Sequence, residues 1–97
     1  MTPVVADTPE RHRFEARLDA TLVGVLTYAV ADGRMDLMHT KVFPNYEGHG
    51  IAAALTRFAL DDARRRGLQV VPSCPYVRRY LESHPEDLGI VVDWPGP

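Results

Sequence analysis

Ninety-seven residues supply one hydrophobic core and no room for a second, and 45% apolar with 25% charged residues is the balance of a water-soluble globular domain. A net charge of −2 offers no basic surplus to argue for nucleic acid, and no apolar run approaches the roughly 18–20 residues of a membrane span. One cysteine, Cys74, excludes an internal disulfide and fits a reducing, cytoplasmic setting.

Residues 1–12 carry Pro3 and Pro9 among polar residues and read as a flexible tail. Residues 1–7 have neither the charged start nor the long apolar stretch of a secretory signal. A single domain is expected over residues 13–94. Arg13 to Leu18 alternates and predicts a strand with Phe14, Ala16 and Leu18 inward. Asp19-Ala20 is a tight turn. Leu22 to Val30 is a second strand, and Asp32-Gly33 is a hairpin signal whose residues tolerate positive φ. Arg34 to Thr40 returns as a third strand that leads on through Val42.

Gly50 to Arg66 is the clearest helix. Ile51, Ala54, Leu55, Phe58, Ala59 and Ala63 repeat at three and four, while Asp61, Asp62 and Arg64 to Arg66 take the other face. Gly67 ends it. Leu68 to Pro72 is a short buried strand. Pro75 suits the first turn of a second helix, which His84-Pro85 stops, and Ile90 to Trp94 is a candidate final strand. The order predicts an α+β fold: a mostly antiparallel, twisted sheet with two main helices.

The decisive segment is Tyr46 to Leu55. An apolar approach, Val42-Phe43-Pro44, meets Gly48-His49-Gly50 and opens directly into the long helix. Glycines let the backbone turn tightly and come close to a ligand. The helix start leaves N–H groups unpaired at its positive end, where phosphates bind. No Lys follows the glycines, so this is no P-loop. Ala53 stands where a dinucleotide fingerprint needs a third glycine, and the chain is short for that fold.

Glu47-Gly48-His49-Gly50-Ile51-Ala52 resembles motif A of the GCN5-related N-acetyltransferases, Gln/Arg-x-x-Gly-x-Gly/Ala, with Glu47 departing at the first position. Three more motifs join it in order: His39-Thr40-x-Val42, Val71-Pro72-Ser73-Cys74-Pro75-Tyr76-Val77, and Tyr80-x-x-x-His84-Pro85-Glu86. Together they resemble the small, single-domain YjdJ-type branch of that family over roughly residues 13–88. The resemblance implies a minimal version of the acetyltransferase fold, because Asp19-Ala20 leaves no space for the two helices usual between the first and second strands. It also implies acetyl-CoA as cosubstrate, with no metal, and an amine as acceptor.

Under that resemblance the cosubstrate site comprises the backbone of Gly48, His49, Gly50, Ile51, Ala52 and Ala53 for the pyrophosphate. Thr40 and Val42 lie on the strand edge that takes the pantetheine arm, and Tyr76 and Arg79 on the second helix. The plain alternative for the glycines is a tight turn without a ligand. Cys74 is the candidate nucleophile, since thiols at helix starts react as thiolates. It equally suits lining the thioester pocket, or filling space as a small hydrophobe. His39 is the candidate general base, against a structural histidine. Tyr80 resembles the family's tyrosine that protonates the departing thiolate, against a packing aromatic. His49, His84 and Cys74 have no zinc-site spacing.

The reading is an acetyl-CoA-dependent N-acetyltransferase. Without the two acceptor-side helices the cleft is expected to be open, which suits a peptide or protein side chain. The competing reading is an acyl-CoA-binding or partner-docking module without turnover. Nothing in the sequence marks a large apolar patch, so a monomer is expected.

Overall fold

In a computed structural model, described over residues 2–94, five strands form one sheet in the order β1-β2-β3-β4-β5. These are β1 (Val4–Thr8), β2 (Arg13–Leu18), β3 (Thr21–Ala31), β4 (Arg34–Val42) and β5 (Gln69–Pro72). β1 to β4 are joined antiparallel, and β5 lies parallel to β4. Helix α1 (Ile51–Arg65) makes the crossover between β4 and β5, and α2 (Pro75–Glu82) follows β5. This is the α+β arrangement that the sequence pattern predicts. β2 passes to β3 through Asp19 and Ala20 alone, with Asp19 at φ 53°.

The core follows from strand alternation. Phe14, Ala16, Leu26, Met35, Leu37 and Val70 alternate onto one face and are fully buried, and Val23, the extra residue where the β2–β3 register shifts, joins them in the core. Ile51, Leu55, Ala59, Leu60 and Ala63 of α1, with Val77 and Leu81 of α2, cover that face. Each large apolar side chain buried there contributes about 1.5–3 kcal/mol. Both helices pack into this one core, so the opposite sheet face carries no helix among the described residues.

Three expectations change. The segment expected within a flexible tail contains β1, which pairs with β2 from Val4↔Arg17 to Thr8↔Arg13. The Tyr28 hydroxyl donates to Asp7 at 2.6 Å and fixes this edge strand from inside. Burial and the Asp7 charge push the Tyr28 hydroxyl up to about 12. The expected final strand, Ile90 to Trp94, is reduced to a single parallel bridge from Val91 to Val70, which follows a 3-10 segment, Pro85–Ile90. Asp87 fastens that segment to α1 through Arg57 (2.7 Å) and Arg64 (2.6 Å). Asp62, expected on the solvated face of α1, is buried and paired with Arg65 and Arg66.

One irregularity matters for the site. The β3–β4 register pairs Thr27 with His39 and Tyr28 with Leu37, so Met38 is an extra residue, a β-bulge. The bulge shifts the alternation of β4. Leu37 and Thr40 share the helix-covered face, while His39 and Lys41 join Asp36 on the open face.

Candidate active site

The β4–β5 ladder ends at Leu37↔Pro72. The Cys74 N–H then donates to the Leu37 carbonyl at 2.8 Å, and the chain turns away into α2. Met38–Val42 therefore runs on with an edge that β5 does not pair. Pro75 starts α2 with no N–H to lose, and Cys74 is its N-cap residue. Arg78 donates to the Pro72 and Ser73 carbonyls at 3.1 and 2.7 Å, which holds the β5–α2 corner.

Cys74 is 3% exposed, with its sulfur 3.3 Å from the Thr40 hydroxyl. The bulge at Met38 is what brings Thr40, rather than His39, to the cysteine. His39 is exposed on the other face of the sheet, opposite Thr27. Cys74 and His39 are thus not brought side by side.

The glycine turn behaves as its sequence requires. Gly48 and Gly50 stand at φ 79° and 76°, which other residues adopt only with strain. A Cβ at either would meet no atom within 4 Å, so space over both is open to a ligand. The first helical bond is donated by Ala54 to the Gly50 carbonyl at 3.0 Å, leaving the N–H groups of Ile51, Ala52 and Ala53 without helical acceptors. A hollow of about 310 Å³ lies against them, lined also by Val42, Tyr46, Glu47 and Tyr76. The His49 side chain instead faces a separate hollow with Leu18, Asn45 and Tyr46.

Two further hollows continue along the groove. One of about 520 Å³ is bounded by Thr40, Lys41, Val42, Glu47, Ala52, Tyr76 and Arg79. The other, about 430 Å³, lies between Ala53 and the Tyr76, Arg79, Tyr80, Ser83 and His84 side of α2. Tyr76 borders all three. The Arg79 guanidinium lies 5.9 Å from its ring centre. Burial raises the Tyr76 hydroxyl above the ordinary phenol range, and negative charge at Tyr80 or Cys74 raises it further, against Arg79. Tyr80 stacks on His84 with centroids 3.9 Å apart, and the His84 Nδ1–H donates to the Tyr80 carbonyl at 2.7 Å. Of the expected residues, the fold gathers Thr40, Val42, the glycine turn, Cys74, Tyr76, Arg79 and Tyr80 along one groove, and leaves His39 and the His49 ring outside it.

Sequence reasoning passed over Asp36. It is half-buried on the open face of β4, and one carboxylate oxygen is enclosed without a hydrogen-bond partner among the described residues. Its signal was an acid inside an apolar run, Met35-Asp36-Leu37-Met38. Among the described residues, no group of three or more His, Cys, Asp or Glu is placed to hold a metal ion.

A family model described as GCN5-related N-acetyl-transferase matches residues 13–89. The chain belongs to that family. It is 35% identical over 78 residues to mouse Protein NATD1, across 78% of this chain and 71% of the relative. Human Protein NATD1 is 35% identical over 77 residues, across 77% of this chain and 68% of the relative. A GCN5-like protein from Staphylococcus aureus has the same fold, with a TM-score of 0.71 at 18% identity, covering 95% of this chain and 90% of that one. A ribosomal-protein-alanine N-acetyltransferase from Brucella melitensis superposes with a TM-score of 0.61 at 25% identity, covering 88% of this chain and 65% of that one.

Proposed function

We propose that this chain transfers the acetyl group of acetyl-CoA to an amine, such as that of a peptide or a protein side chain. The observation that carries the reading is the open edge of β4 running from the glycine turn to Cys74. An extended ligand arm adds to such an edge through main-chain hydrogen bonds. The N–H groups at Gly48–Ala53 hold the pyrophosphate at one end, with Tyr76 and Arg79 along the wall. The arm then delivers the thioester beside Cys74 and Thr40.

Two routes use these residues. In the covalent route the Cys74 sulfur attacks the thioester carbonyl, a new thioester forms on Cys74, and the CoA thiolate leaves with a proton from Tyr80. The amine then attacks acetyl-Cys74, the amide forms, and the Cys74 thiolate is released. In the direct route the amine attacks the bound thioester, the amide forms, the CoA thiolate leaves with a proton from Tyr80, and Cys74 and Thr40 line the pocket. In both, the helix-covered side of the sheet carries the cosubstrate, so the acceptor enters from the uncovered side. Asp36 and His39 stand there. The unpaired Asp36 oxygen makes it the better placed group to take the amine proton.

Intact-mass spectrometry after brief mixing with acetyl-CoA tests the covalent route. A gain of one acetyl group, about 42 Da, in the native chain and not in Cys74→Ala supports it. No gain in either, with thiol release in the presence of amines, supports direct transfer. Tight CoA binding with no thiol release over a broad amine panel would overturn the enzyme reading in favour of an acyl-CoA-binding module, a reading that Glu47 at a Gln/Arg position keeps in view.

A further inference from the structure

The sheet face that no helix covers is charged asymmetrically. Glu15 is 4% exposed and lies against three guanidiniums: Arg13 at 2.7 Å, Arg17 at 2.8 Å and Arg11 at 3.7 Å. Three cations share one carboxylate, so the cluster keeps positive charge in excess on a chain whose net charge is −2. Arg17 and Arg11 extend into solvent, with side chains 43% and 62% exposed. The strand register continues the row. Glu15 pairs with Val25, which pairs with Lys41, and Arg13 pairs with Thr27, which pairs with His39. All of these positions share the open face by alternation. The cations elsewhere are mostly engaged: Arg57, Arg64, Arg65 and Arg66 pair with aspartates at α1, and Arg34 with Asp93. Asp36 of β4 shares this face past the His39 end of the row, while the acids nearest β2 in sequence, Glu10 and Asp19, sit beyond its two ends.

The distances fit an extended chain. β2 and β4 flank β3, so Arg13, in register with His39 through Thr27, stands about 10 Å across the sheet from the open β4 edge, at about 4.8 Å per strand, and Arg17 lies further along β2 toward the glycine turn. An extended peptide rises about 3.3 Å per residue and covers that span in about three residues.

We infer that the open sheet face selects an acidic peptide acceptor, with Arg13 and Arg17 binding carboxylates about three to four residues from the amine that receives the acetyl group, and Lys41, on β4 itself, binding one closer to it. This rests on the acetyl-transfer reading for its chemistry, but the surface can be read separately by binding.

The test uses three peptides that share one amine and differ at the second to fourth positions after it, carrying glutamate, glutamine or lysine. Transfer kinetics are measured alongside equilibrium binding of the same peptides, fluorescently labelled, to the protein without acetyl-CoA. The glutamate peptide is expected to show the lowest KM, rising with salt. Arg17→Gln raises that KM about two- to fivefold, the worth of one exposed ion pair, and leaves the glutamine peptide unchanged. Glu15→Gln removes the shared carboxylate and lowers it, which is the opposite sign from any loss of structure. Equal KM for the three peptides, or an Arg17→Gln effect common to all three, overturns the inference. If no peptide is acetylated yet the glutamate peptide binds best and Arg17→Gln weakens it, the surface stands and the transfer reading falls. If none is acetylated and none is preferred, both fall.

Discussion

The Thr40 hydroxyl and the Cys74 sulfur lie 3.3 Å apart, tying the strand that enters the glycine turn to the first residue of the α2 corner. The contact spans 34 residues of chain and exists because Met38 bulges out of the β3–β4 ladder. A hydroxyl there can donate to a thiolate, and hydrogen bonds to charged groups are worth about 1.5–3 kcal/mol. Thr40→Val keeps the shape and removes that donor. Acetylation of Cys74, followed by rapid-quench mass spectrometry, should slow about tenfold or more while CoA affinity holds. An unchanged rate would take Thr40 out of the chemistry.

Gly50 and Gly67 offer a matched comparison. Both have positive φ, 76° and 69°, and an added Cβ meets nothing at either. Alanine at each should cost about 1–2 kcal/mol of strain, read as similar falls in Tm. Only Gly50→Ala should also weaken CoA binding, by about tenfold or more, because its Cβ enters the anion site while Gly67 lies beyond the far end of α1. Equal CoA affinity in the two variants would mean that the glycine turn only shapes the backbone.

Asp36 can be separated from Cys74 by step. Asp36→Asn should leave formation of the acetyl adduct intact and slow its transfer to an amine about a hundredfold. His39→Gln, exposed and without the enclosed oxygen, should slow the same step by less than about tenfold. Single-turnover kinetics on preformed adduct would read both. The reverse ranking would give the base role to His39.

Acid should unfold the chain through two carboxylates. Hydrogen bonds from Arg17 and then Arg13 hold Glu15 down to about 2, from an ordinary 4.5. Arg57 first, with Arg64, holds Asp87 down to about 2, from 3.8. Both bind protons more readily when unfolded. Their stabilisation is therefore complete above about pH 4.5 and is lost as pH falls toward 2. Urea titrations across that window should show stability falling with pH. Asp87→Asn should be less stable by about 2–3 kcal/mol at pH 7 and should flatten the slope. A native-like slope in that variant would shift the effect to other groups.

The helices and the middle strands could be read from residue order because their signals are local. The apolar period of Ile51, Leu55 and Ala59, the alternation of Phe14, Ala16 and Leu18, and the Gly67 stop each lie within a few residues. β1 could not. Val4 to Thr8 is short and flanked by prolines, and its stability comes from pairing with β2 and from Asp7 meeting Tyr28, 21 residues away. The glycine turn was legible from its spacing ahead of the helix, whereas Tyr76, Arg79 and Tyr80 on α2 were pointed to by the family resemblance. The face occupied by His39 was not, because a one-residue bulge reverses every later side chain of the strand and leaves no mark in composition. Asp36 was hidden for a related reason. An acid on a strand looks like a solvated position until the unpaired oxygen is located.

The pleat that sorts side chains to two faces also sorts what mutation can reach. On β2, β3 and β4, one set of alternate positions holds Phe14, Leu26 and Leu37 in the core, and the other holds Arg13, Thr27 and His39 on the open face. Stability and, on the proposed acetyl-transfer reading, acceptor choice are thus inherited on interleaved letters of the same strands. A population of variants drifting at the second set can change what it modifies while the first set keeps it folded.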